Sequence, residues 1–533
     1  MTTFALILTT LLAIAAVANL WYAYKSDLQM LQQNSYRNDR YFRWWKASNN
    51  YYSVNRIIDL IVLLLMLSQF SKLYVVIPIA IIALSTKVIL AAKKKYKKPL
   101  VFTRRVWRLL TTMLVLSAIV MATACVPNAE DLSTAIYAVA IAATTLSVLS
   151  WGILAICNKA MMPVESAINK MYCDDARRIL SEMQGLKIIG ITGSYGKTST
   201  KHYLYRILSE RYNVLMTPGS FNTPMGVVRT VREQMKPYHE VFIVEMGAKQ
   251  IGDIKEICDL VHPEIGIITA VGEQHLESFK SIENVQRTKF ELADALPADG
   301  FVVLNDDFEY IANRPVENTA AYRYAIKEVG NANFTARDIE YSETGTHFTI
   351  EGEGKTLQME TRLVGECNIS NLMAAIITAM KLGISEDHIK YAVGKIEQVE
   401  HRLSIRKTPA GITVIDDAFN SNPDGSRMAL DVLSRMKKGK RIVVTPGMIE
   451  LGEKQEMLNK QFGERIASSC DIAIIVGQYN RDAILEGIRE NGQFDENKLI
   501  VVDTFAEAQS RLATLLQSGD IVLYENDLPD TFK

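Results

Sequence analysis

The stretch Gly190-Ile-Thr-Gly-Ser-Tyr-Gly-Lys-Thr-Ser-Thr200 decides the fold class of this 533-residue chain. The apolar run at 186–191 predicts a buried strand, and the apolar spacing at 199–210 predicts an amphipathic helix. A glycine turn between a strand and a helix is the setting of a phosphate-binding loop, because glycines let the backbone approach an anion and helix amides point at it. The predicted nucleotide-binding residues of this loop are Gly193, Ser194, Gly196, Lys197, Thr198 and Ser199.

Two side chains of the loop carry its expected chemistry. Lys197 is expected to reach the terminal phosphates of the nucleotide, and the Thr198 hydroxyl is expected to hold Mg²⁺. The strict eight-residue phosphate-loop pattern is not met, because Ile191 stands where its first glycine belongs. A chance Gly-Lys-Thr turn is therefore the alternative on these residues alone, and the motifs downstream argue against it.

Composition separates the chain into two parts. Lysine plus arginine and aspartate plus glutamate each number 59, so the formal net charge is zero and no overall field favours nucleic acid. The first ~158 residues are apolar and basic, whereas the rest has the composition of an ordinary soluble protein. The 6 cysteines show no Cys-x-x-Cys spacing, which argues against a zinc knuckle or a disulfide framework and fits a reducing compartment.

Residues 1–158 are predicted to form an α-helical membrane region. A signal peptide is the alternative at 4–24, but this stretch has no basic segment before it and further apolar stretches follow. The expected spans are five, at about 4–24, 57–71, 73–90, 109–126 and 133–157, followed by an amphipathic connector at 159–185.

Loop charges predict the orientation of these spans. The segments 25–56 and 91–108 are rich in lysine and arginine, whereas the other two connections are nearly free of them. The positive-inside rule then places the N-terminus outside and the large C-terminal part in the cytosol. Asp59 and Lys87 lie near predicted helix ends, where they are expected to reach the interface, so a transport pathway is not favoured.

Further motifs follow the phosphate loop. Glu245 ends a predicted strand at 241–245, and a carboxylate at the C-terminal end of a parallel strand can hold Mg²⁺ beside a nucleotide. His275 follows another predicted strand and is either a second metal ligand or a structural loop histidine. Lys289 lies on a predicted helix at 284–292.

In this order the motifs resemble those of the Mur ligase superfamily, and most of all those of its D-alanyl-D-alanine-adding branch, the MurF enzymes. The segments that carry the resemblance are Thr192-Gly-Ser-Tyr-Gly-Lys-Thr198, Val244-Glu-Met-Gly-Ala248, Gly272-Glu-Gln-His-Leu-Glu277, Gly365-Glu-Cys-Asn-Ile-Ser-Asn371 and Asp416-Asp-Ala-Phe-Asn-Ser-Asn-Pro423. The resemblance implies ATP and two Mg²⁺ ions, with the metal ligands Thr198, Glu245, His275 and a carbamylated Lys289.

The same resemblance implies further contacts with the nucleotide. Asn368 and Asn371 are expected near its base, with Cys367 in the place of the family's histidine. The residues expected to close over the nucleotide from the last domain are Arg402, Asp416 and Asn420.

The implied fold is a Mur ligase α/β central ATP-binding domain at 186–399, followed by a Rossmann-like α/β C-terminal domain at 400–533. The residues themselves also indicate the latter, because strand-like runs alternate with helical stretches from 414 to 524. Two features depart from the family. The acidic end Tyr524-Glu-Asn-Asp-Leu-Pro-Asp530 replaces a cationic segment, and a membrane region stands where soluble members hold the UDP end of the substrate.

The implied reaction is ATP-dependent amide formation through an acyl phosphate. The expected acceptor is the carboxylate of a muramoyl peptide, nucleotide-linked or lipid-linked, and the expected amine is D-Ala-D-Ala or a similar amino acid or dipeptide. A ligase that extends a different carboxylate, as folylpolyglutamate and cyanophycin synthetases do, is the alternative; a transporter or a scaffold with a decayed ligase is a third class, which the retained site lysines disfavour. The expected catalytic residues are Lys197, Lys289, His275, Asn222 and Thr223.

Overall fold

The computed structural model of this protein describes residues 2–48, 53–68, 73–94, 96, 98–128, 130–326, 332–341, 345–419, 421–436 and 438–528. The chain divides into two units, one made mainly of residues 1–169 and the other of residues 170–527. The first unit is helical in the described residues, and the second holds two α/β domains, each built around its own sheet.

Apolar helices form the first unit. Buried side chains hold them together in two clusters, one around Tyr24 and Leu109 and the other around Leu12 and Ile77. Large apolar side chains such as Ile14 stay exposed on the outer faces. The helices are α1 (Thr2–Gln33), α2 (Asn38–Ala47), α3 (Val54–Ser68), α4 (Leu73–Lys93), α5 (Arg104–Cys125), α6 (Leu132–Val148) and α7 (Ser150–Ser181), the last of which continues into the second unit.

Three of these helices are long and apolar enough to cross a membrane, with the qualifying stretches Thr3–Gln33, Val75–Lys93 and Arg104–Asn128. α6 and α7 are long and apolar enough only when taken together, and they are bent by 74° at the break between them. The described helices therefore provide three candidate spans, or four if the bent pair forms one further span. α3 has 15 residues, and most of the predicted hairpin at 68–72 lies outside the described residues. The count of five spans therefore stays a prediction.

The stretch 133–157 differs from the single span predicted there. It is divided between α6 and α7, and α7 continues as one helix through most of the predicted connector at 159–185. Ser150, the first residue of α7, donates a hydrogen bond of 2.5 Å from its hydroxyl to the buried Asp27 carboxylate of α1. This tertiary contact ties the bend to α1, and the local sequence pattern carries no sign of it.

The prediction that Asp59 and Lys87 reach the membrane interface is wrong. Both residues are buried, and the Lys87 ammonium donates a hydrogen bond to the Asp59 carboxylate. Asp59 also accepts a hydrogen bond of 3.0 Å from the side-chain amide of Asn19. A second pair, Arg56 with Asp27, has an N–O distance of 2.8 Å. Each pair is neutral as a whole, so the buried charges have a structural explanation that needs no transport pathway.

The central domain is built on a nine-stranded mixed sheet. Its strands are β1 (Lys187–Thr192), β2 (Val214–Met216), β3 (Val241–Glu245), β4 (Ile265–Ile268), β5 (Phe301–Asn305), β6 (Ala320–Ala325), β7 (Phe334–Tyr341), β8 (Thr346–Gly352) and β9 (Lys355–Thr361). In the order β2-β3-β1-β4-β5-β6-β7-β8-β9 the pairs up to β6–β7 are parallel, and β7–β8 and β8–β9 are antiparallel. The motifs and apolar runs of the sequence did not predict this antiparallel end.

Helices cover both faces of the central sheet, as expected for parallel strands. One buried cluster centres on Ile191 and Leu372, and the other on Val244 and Phe290. The helices are α8 (Lys197–Leu208), α9 (Pro224–Gln234), α10 (Asp253–Val261), α11 (Leu276–Phe279), α12 (Ile282–Asp294), α13 (Glu309–Ala312), α14 (Glu366–Lys381) and α15 (Glu386–Gly394).

The C-terminal domain has a six-stranded sheet in the order β10-β11-β15-β12-β13-β14, where only the edge pair β10–β11 is antiparallel among the described strands. The alternation of strands and helices agrees with the predicted Rossmann-like pattern. The elements are β10 (Ser404–Lys407), β11 (Thr413–Asp417), α16 (Pro423–Arg435), β12 (Arg441–Thr445), α17 (Gln455–Ser469), β13 (Ile472–Val476), α18 (Arg481–Glu490), β14 (Leu499–Val502), α19 (Phe505–Leu515) and β15 (Ile521–Glu525).

The sheet topology decides where polar residues gather. Parallel strands end at the same edge, so the loops after β1, β3 and β4 meet at the C-terminal edge of the central sheet. These loops carry the phosphate loop, Glu245 and His275 respectively. That edge is the candidate site.

Candidate active site

The phosphate loop, residues 192–198, leads from β1 directly into α8. Gly193 has φ +152°, and a Cβ added there would lie 2.1 Å from Thr269 Oγ1 and 3.0 Å from the Ala270 amide nitrogen. Gly196 has φ +81°, and its Cβ would lie 2.1 Å from Asn371 Oδ1. Both the backbone angle and the space therefore require glycine at these two positions.

Lys197 lies over the backbone of its own loop. Its Nζ donates hydrogen bonds of 2.6 Å to the Gly193 carbonyl and 3.1 Å to the Ser194 carbonyl. Burial lowers the pKa of Lys197 to about 8, although the Glu245 carboxylate acts in the opposite direction. A phosphate bound in the loop would stabilise the charged amine and raise that pKa again.

Glu245, at the end of β3, gathers three side chains. Its Oε2 accepts hydrogen bonds from Lys201 Nζ at 2.9 Å and from the Thr198 hydroxyl at 3.1 Å, and its Oε1 accepts one from Asn222 at 3.0 Å. Burial opposes ionisation of Glu245, but Lys201 and Lys197 outweigh it and hold its pKa below the ordinary value. Glu245 is thus an ionised carboxylate next to a threonine hydroxyl, which are oxygen ligands that Mg²⁺ prefers.

Lys289 lies on α12 and is buried. Its Nζ is 5.9 Å from the centre of the Phe279 ring, and within the described residues no hydrogen bond or ion pair engages it. Burial, and then the charge of Lys197, hold the pKa of Lys289 well below its ordinary value. A neutral lysine amine is the form that can add carbon dioxide to give a carbamate.

His275 stands in the αL conformation immediately before α11. Its Nδ1 makes a hydrogen bond to a carboxylate oxygen of Glu450 in the C-terminal domain. Burial lowers the pKa of His275, and Glu450 acts against that shift. The neutral imidazole is the metal-binding form of histidine.

The C-terminal domain presents Arg402 to the phosphate loop, with an Arg402 guanidinium nitrogen 3.5 Å from Thr198 Oγ1. The guanidinium also lies 4.1 Å from the centre of the exposed Phe419 ring. Asp416, which is predicted to close over the nucleotide, contacts His401 at 2.8 Å. Its neighbour Asp417 provides the charge that acts on Arg402. The predicted nucleotide residue Asn420 lies outside the described residues.

The remaining predicted residues fall into two groups. Asn371 lies against the phosphate loop, 3.4 Å from the Thr200 hydroxyl, and Ser194 bonds the backbone of Gly272 on the next loop. By contrast, the side-chain amide of Asn368 is buried and engaged within the domain, since it accepts a bond of 2.8 Å from the Tyr203 hydroxyl. Thr223 caps the N-terminus of α9, and Ser199 is buried in α8. Burial raises the pKa of the Cys367 thiol to about 12, so this thiol stays neutral.

Glu525, the first acidic residue of the segment 524–530, does not lie on an exposed loop. Glu525 is fully buried at the end of β15, in register with Asp417 of β11. It accepts a hydrogen bond from the Ser421 hydroxyl, while its other carboxylate oxygen has no partner among the described residues. Burial, followed by the charge of Asp417, raises the pKa of Glu525 well above its ordinary value.

Three residues of the site were missed by the sequence analysis. Lys201 is buried and pairs with Glu245, one helical turn after the lysine that was predicted. Tyr195 of the phosphate loop donates a hydrogen bond to Asp424 of α16, and Glu450 contacts His275. The i, i+4 spacing of Lys197 and Lys201 in an amphipathic helix is a signal that could have found the first. Tyr195 and Glu450 lie in motif segments, but each contacts a residue far away in sequence, and the local pattern holds no signal for those two pairings.

The residues present fit ATP and a divalent ion. The loop is a cradle that a Cβ at Gly193 or Gly196 would fill, and Thr198 and Glu245 supply hydroxyl and carboxylate oxygens beside it. Among the described residues, no three His, Cys, Asp or Glu side chains form a ready-made metal centre. A divalent ion would therefore take part of its ligands from the nucleotide, as Mg²⁺ does in phosphate-transfer sites.

Comparison with known proteins gives the family. The Mur ligase middle domain matches residues 191–379, and the Mur ligase, glutamate ligase domain, matches residues 401–524. The UDP-N-acetylmuramoyl-tripeptide–D-alanyl-D-alanine ligase of Bacillus subtilis (strain 168) is 30% identical over 376 residues, which cover 69% of this chain and 78% of that relative. The chain belongs to the Mur ligase family. It is accordingly an ATP-dependent, amide-forming ligase.

Solved structures agree with that assignment. MurF from Acinetobacter baumannii aligns with 68% of this Mur ligase and 78% of its own chain, with a TM-score of 0.62 and 25% identity. The MurF ligase from Thermotoga maritima, solved in complex with ADP, covers 67% of this Mur ligase and 80% of its own chain, with a TM-score of 0.61 and 24% identity, and shares its fold. The first of the two domain matches begins at residue 191, so α1 to α7 of this Mur ligase lie outside both matches.

Proposed function

We propose that this Mur ligase is a membrane-anchored enzyme of the MurF type, which joins D-Ala-D-Ala or a similar amino acid or dipeptide to a muramoyl-peptide carboxylate in cell-wall precursor synthesis. The observation that carries the proposal is the meeting of the glycine-lined phosphate loop, the Glu245 cluster and Arg402 at one sheet edge. The 30% identity to the UDP-N-acetylmuramoyl-tripeptide–D-alanyl-D-alanine ligase of Bacillus subtilis supports the choice of branch.

The first step activates the acceptor. A carboxylate oxygen of the acceptor attacks the γ-phosphorus of ATP, the bond from that phosphorus to the β,γ-bridging oxygen breaks, and ADP leaves an acyl phosphate behind. Both reactants are anions, so the step needs positive charge, which Lys197 supplies at the phosphate loop and Arg402 supplies from the C-terminal domain. Asn222, on the loop before α9, donates a hydrogen bond to Glu245, and Asn222 together with the α9 cap Thr223 would face the acceptor.

The second step forms the amide. The neutral amine attacks the acyl carbon, the bond from carbon to the phosphate oxygen breaks, and inorganic phosphate leaves while the amine gives up a proton. The contacts of Tyr195 with Asp424 and of His275 with Glu450 close the C-terminal domain over the central one. Closure excludes water, which would otherwise hydrolyse the acyl phosphate.

Two Mg²⁺ ions belong to the proposal and would neutralise the phosphate charge during transfer. Thr198 and Glu245 would hold the first ion, and His275 with a carbamylated Lys289 would hold the second. The support for the carbamate is that Lys289 is buried and that its pKa is held far below the ordinary value.

The proposed location is a bacterial inner membrane, with the N-terminus outside and the ligase domains in the cytosol. The long apolar helices α1, α4 and α5 and the basic segments at 25–56 and 91–108 support it. Reporter fusions test the orientation: alkaline phosphatase, active only outside, should work at the N-terminus, and a cytosolic fluorescent protein at the C-terminus. The reverse pattern would refute the proposed topology.

The reaction is tested with full-length protein in detergent, by measuring ADP release with Mg-ATP and D-Ala-D-Ala. UDP-muramoyl-tripeptide and its lipid-linked counterpart are compared as acceptors, and Lys197→Ala serves as the inactive control. Turnover on the soluble nucleotide would make the protein a tethered MurF-type enzyme, and turnover on the lipid form alone would make the acceptor lipid-linked. ADP release on neither acceptor, from folded protein, would refute the muramoyl-peptide assignment and favour a different carboxylate.

A further inference from the structure

The loop of residues 447–454 in the C-terminal domain lies against the loop that carries His275 in the central domain. The Glu277 amide donates a hydrogen bond of 3.3 Å to the Glu450 carbonyl. A Cβ added at Gly452 would lie 3.2 Å from the Glu277 nitrogen, so the two backbones are in close contact there. Lys454 forms an ion pair with Glu273 at the edge of the same interface. The 447–454 loop is therefore a docking surface for the histidine loop.

The Glu450 carboxylate is the centre of this interface. One of its oxygens makes the hydrogen bond to His275 Nδ1, and Lys249 Nζ lies 3.1 Å from the other. Lys249 follows β3 and His275 follows β4, so one carboxylate from the C-terminal domain joins two loops of the central domain. The Glu450 side chain is only 27% exposed, which makes these contacts more than a surface ion pair.

Contacts within the C-terminal domain hold Glu450 in place. Glu450 has φ +62°, a backbone conformation that is strained for a non-glycine residue and persists only where its surroundings enforce it. The fully buried Asn459 supplies that enforcement, because its Oδ1 accepts a bond of 2.9 Å from the Met448 amide. The Leu451 amide donates one of 3.1 Å to the Gln455 side chain. The loop is thus braced on both sides of Glu450.

A carboxylate at Nδ1 determines what the other imidazole nitrogen can do. The Glu450 carboxylate accepts a hydrogen bond from Nδ1–H, which leaves the lone pair on Nε2 free to bind a metal and fixes the plane of the ring. Among the described residues, no other group forms a hydrogen bond with the His275 ring. Glu450 is therefore the group that decides the tautomer and the orientation of His275.

We propose that Glu450 is a positioning residue that aims His275 Nε2 at the second metal ion, so that this ion binds only once the C-terminal domain has docked. The inference rests on the second Mg²⁺ of the proposed function. It goes beyond that function because it makes metal binding depend on the docking of the 447–454 loop. An open enzyme would bind nucleotide with the first ion alone, and the second ion would enter on closure.

The test measures metal binding rather than turnover. Full-length protein in detergent is titrated with Mn²⁺ in the presence of a non-hydrolysable ATP analogue, and bound ions are counted by electron paramagnetic resonance. Spin-echo modulation detects a histidine nitrogen bound to Mn²⁺. Three variants are compared with wild type: Glu450→Gln, His275→Ala, and Glu453→Gln as a matched control, because Glu453 is an exposed carboxylate on the same loop.

Wild type and Glu453→Gln should bind two ions and show the histidine modulation. Glu450→Gln should weaken the second ion 10- to 100-fold and lose the modulation, while the first ion and the nucleotide bind as before. The double variant Glu450→Gln/His275→Ala should be no weaker than His275→Ala alone. Circular dichroism identifies any variant that has lost its fold, and Glu450→Asp, which keeps the charge, should then recover part of the second-ion affinity.

The outcomes separate the two proposals. If wild type binds two ions and Glu450→Gln binds both with unchanged affinity and modulation, the role of Glu450 is refuted while the two-ion site stands. If wild type itself binds only one ion with the nucleotide analogue, the two-ion site is refuted, and the role of Glu450 falls with it.

Discussion

Replacing Lys201 by methionine tests whether the buried Lys201–Glu245 pair stabilises the central domain. Both side chains are almost inaccessible, at 0% and 1% exposure, with 2.9 Å between Nζ and Oε2. Removing one partner of such a pair leaves a buried charge and costs about 3–5 kcal/mol. Asn222 and Thr198 still hydrogen-bond Glu245, so we expect the lower end of that range, ~3 kcal/mol.

Hydrogen exchange followed by mass spectrometry is the suitable assay, because all five tryptophans lie within the first 158 residues and their fluorescence reports on the other unit. The peptides to follow contain β1 and β3, whose strands form the centre of the sheet. A loss of ~3 kcal/mol makes exchange through global opening roughly 10²-fold faster, since each 1.4 kcal/mol is about a factor of ten. Lys255→Met, which removes an exposed pair with Asp259, is the matched control and should change exchange only a few-fold.

The double variant Lys201→Met/Glu245→Gln sharpens the test. It removes both charges and should recover stability to within about 1 kcal/mol of wild type, while ADP release stays lost because Glu245 is gone. Two results would refute the reasoning: exchange in Lys201→Met that matches Lys255→Met, or a double variant whose loss equals the sum of the single losses.

Three further predictions concern other parts of the chain. Gly193→Ala should abolish binding of a fluorescent ATP analogue, because its Cβ would lie 2.1 Å from Thr269 Oγ1; Gly492→Ala, with φ +68° and open space around it, should bind normally. Burial raises the pKa of Asp417 to about 6, so protonated Asp417 stabilises the fold below its unfolded pKa near 4, and this stabilisation is lost as pH rises to 6. Asp417→Asn should flatten the dependence of apparent Tm on pH between those two values. A pH profile of Tm that matches wild type would contradict the assignment. Asp59→Asn should lower Tm followed by tryptophan fluorescence, and Asp59→Asn/Lys87→Met should restore it, whereas equal losses would argue against the buried pair.

Local sequence pattern carried the core of the α/β fold. The apolar run at 241–245 predicted β3 at its observed position, because a strand buried on both faces must be continuously apolar. Strand-like runs between 414 and 524 likewise predicted the alternation of strands and helices in the C-terminal domain. The antiparallel strands β7 to β9 were missed, although burial alternates along β9 as it does in a sheet with one face exposed. Because β9 is rich in polar residues, its sequence is equally typical of a loop.

The candidate site also combines residues that local sequence predicts with contacts that only the tertiary structure shows. The glycines, Lys197, Thr198 and Glu245 are determined by sequence, because a phosphate loop and a carboxylate at a strand end each need particular residues at fixed local spacing. Only the tertiary structure decided that Asp417 rather than Asp416 acts on Arg402, and that Glu450 meets His275. In the first unit it likewise paired Asp59 with Lys87. These contacts join segments that are distant along the chain, and their geometry follows from how helices and sheets pack, which periodicity and spacing do not record.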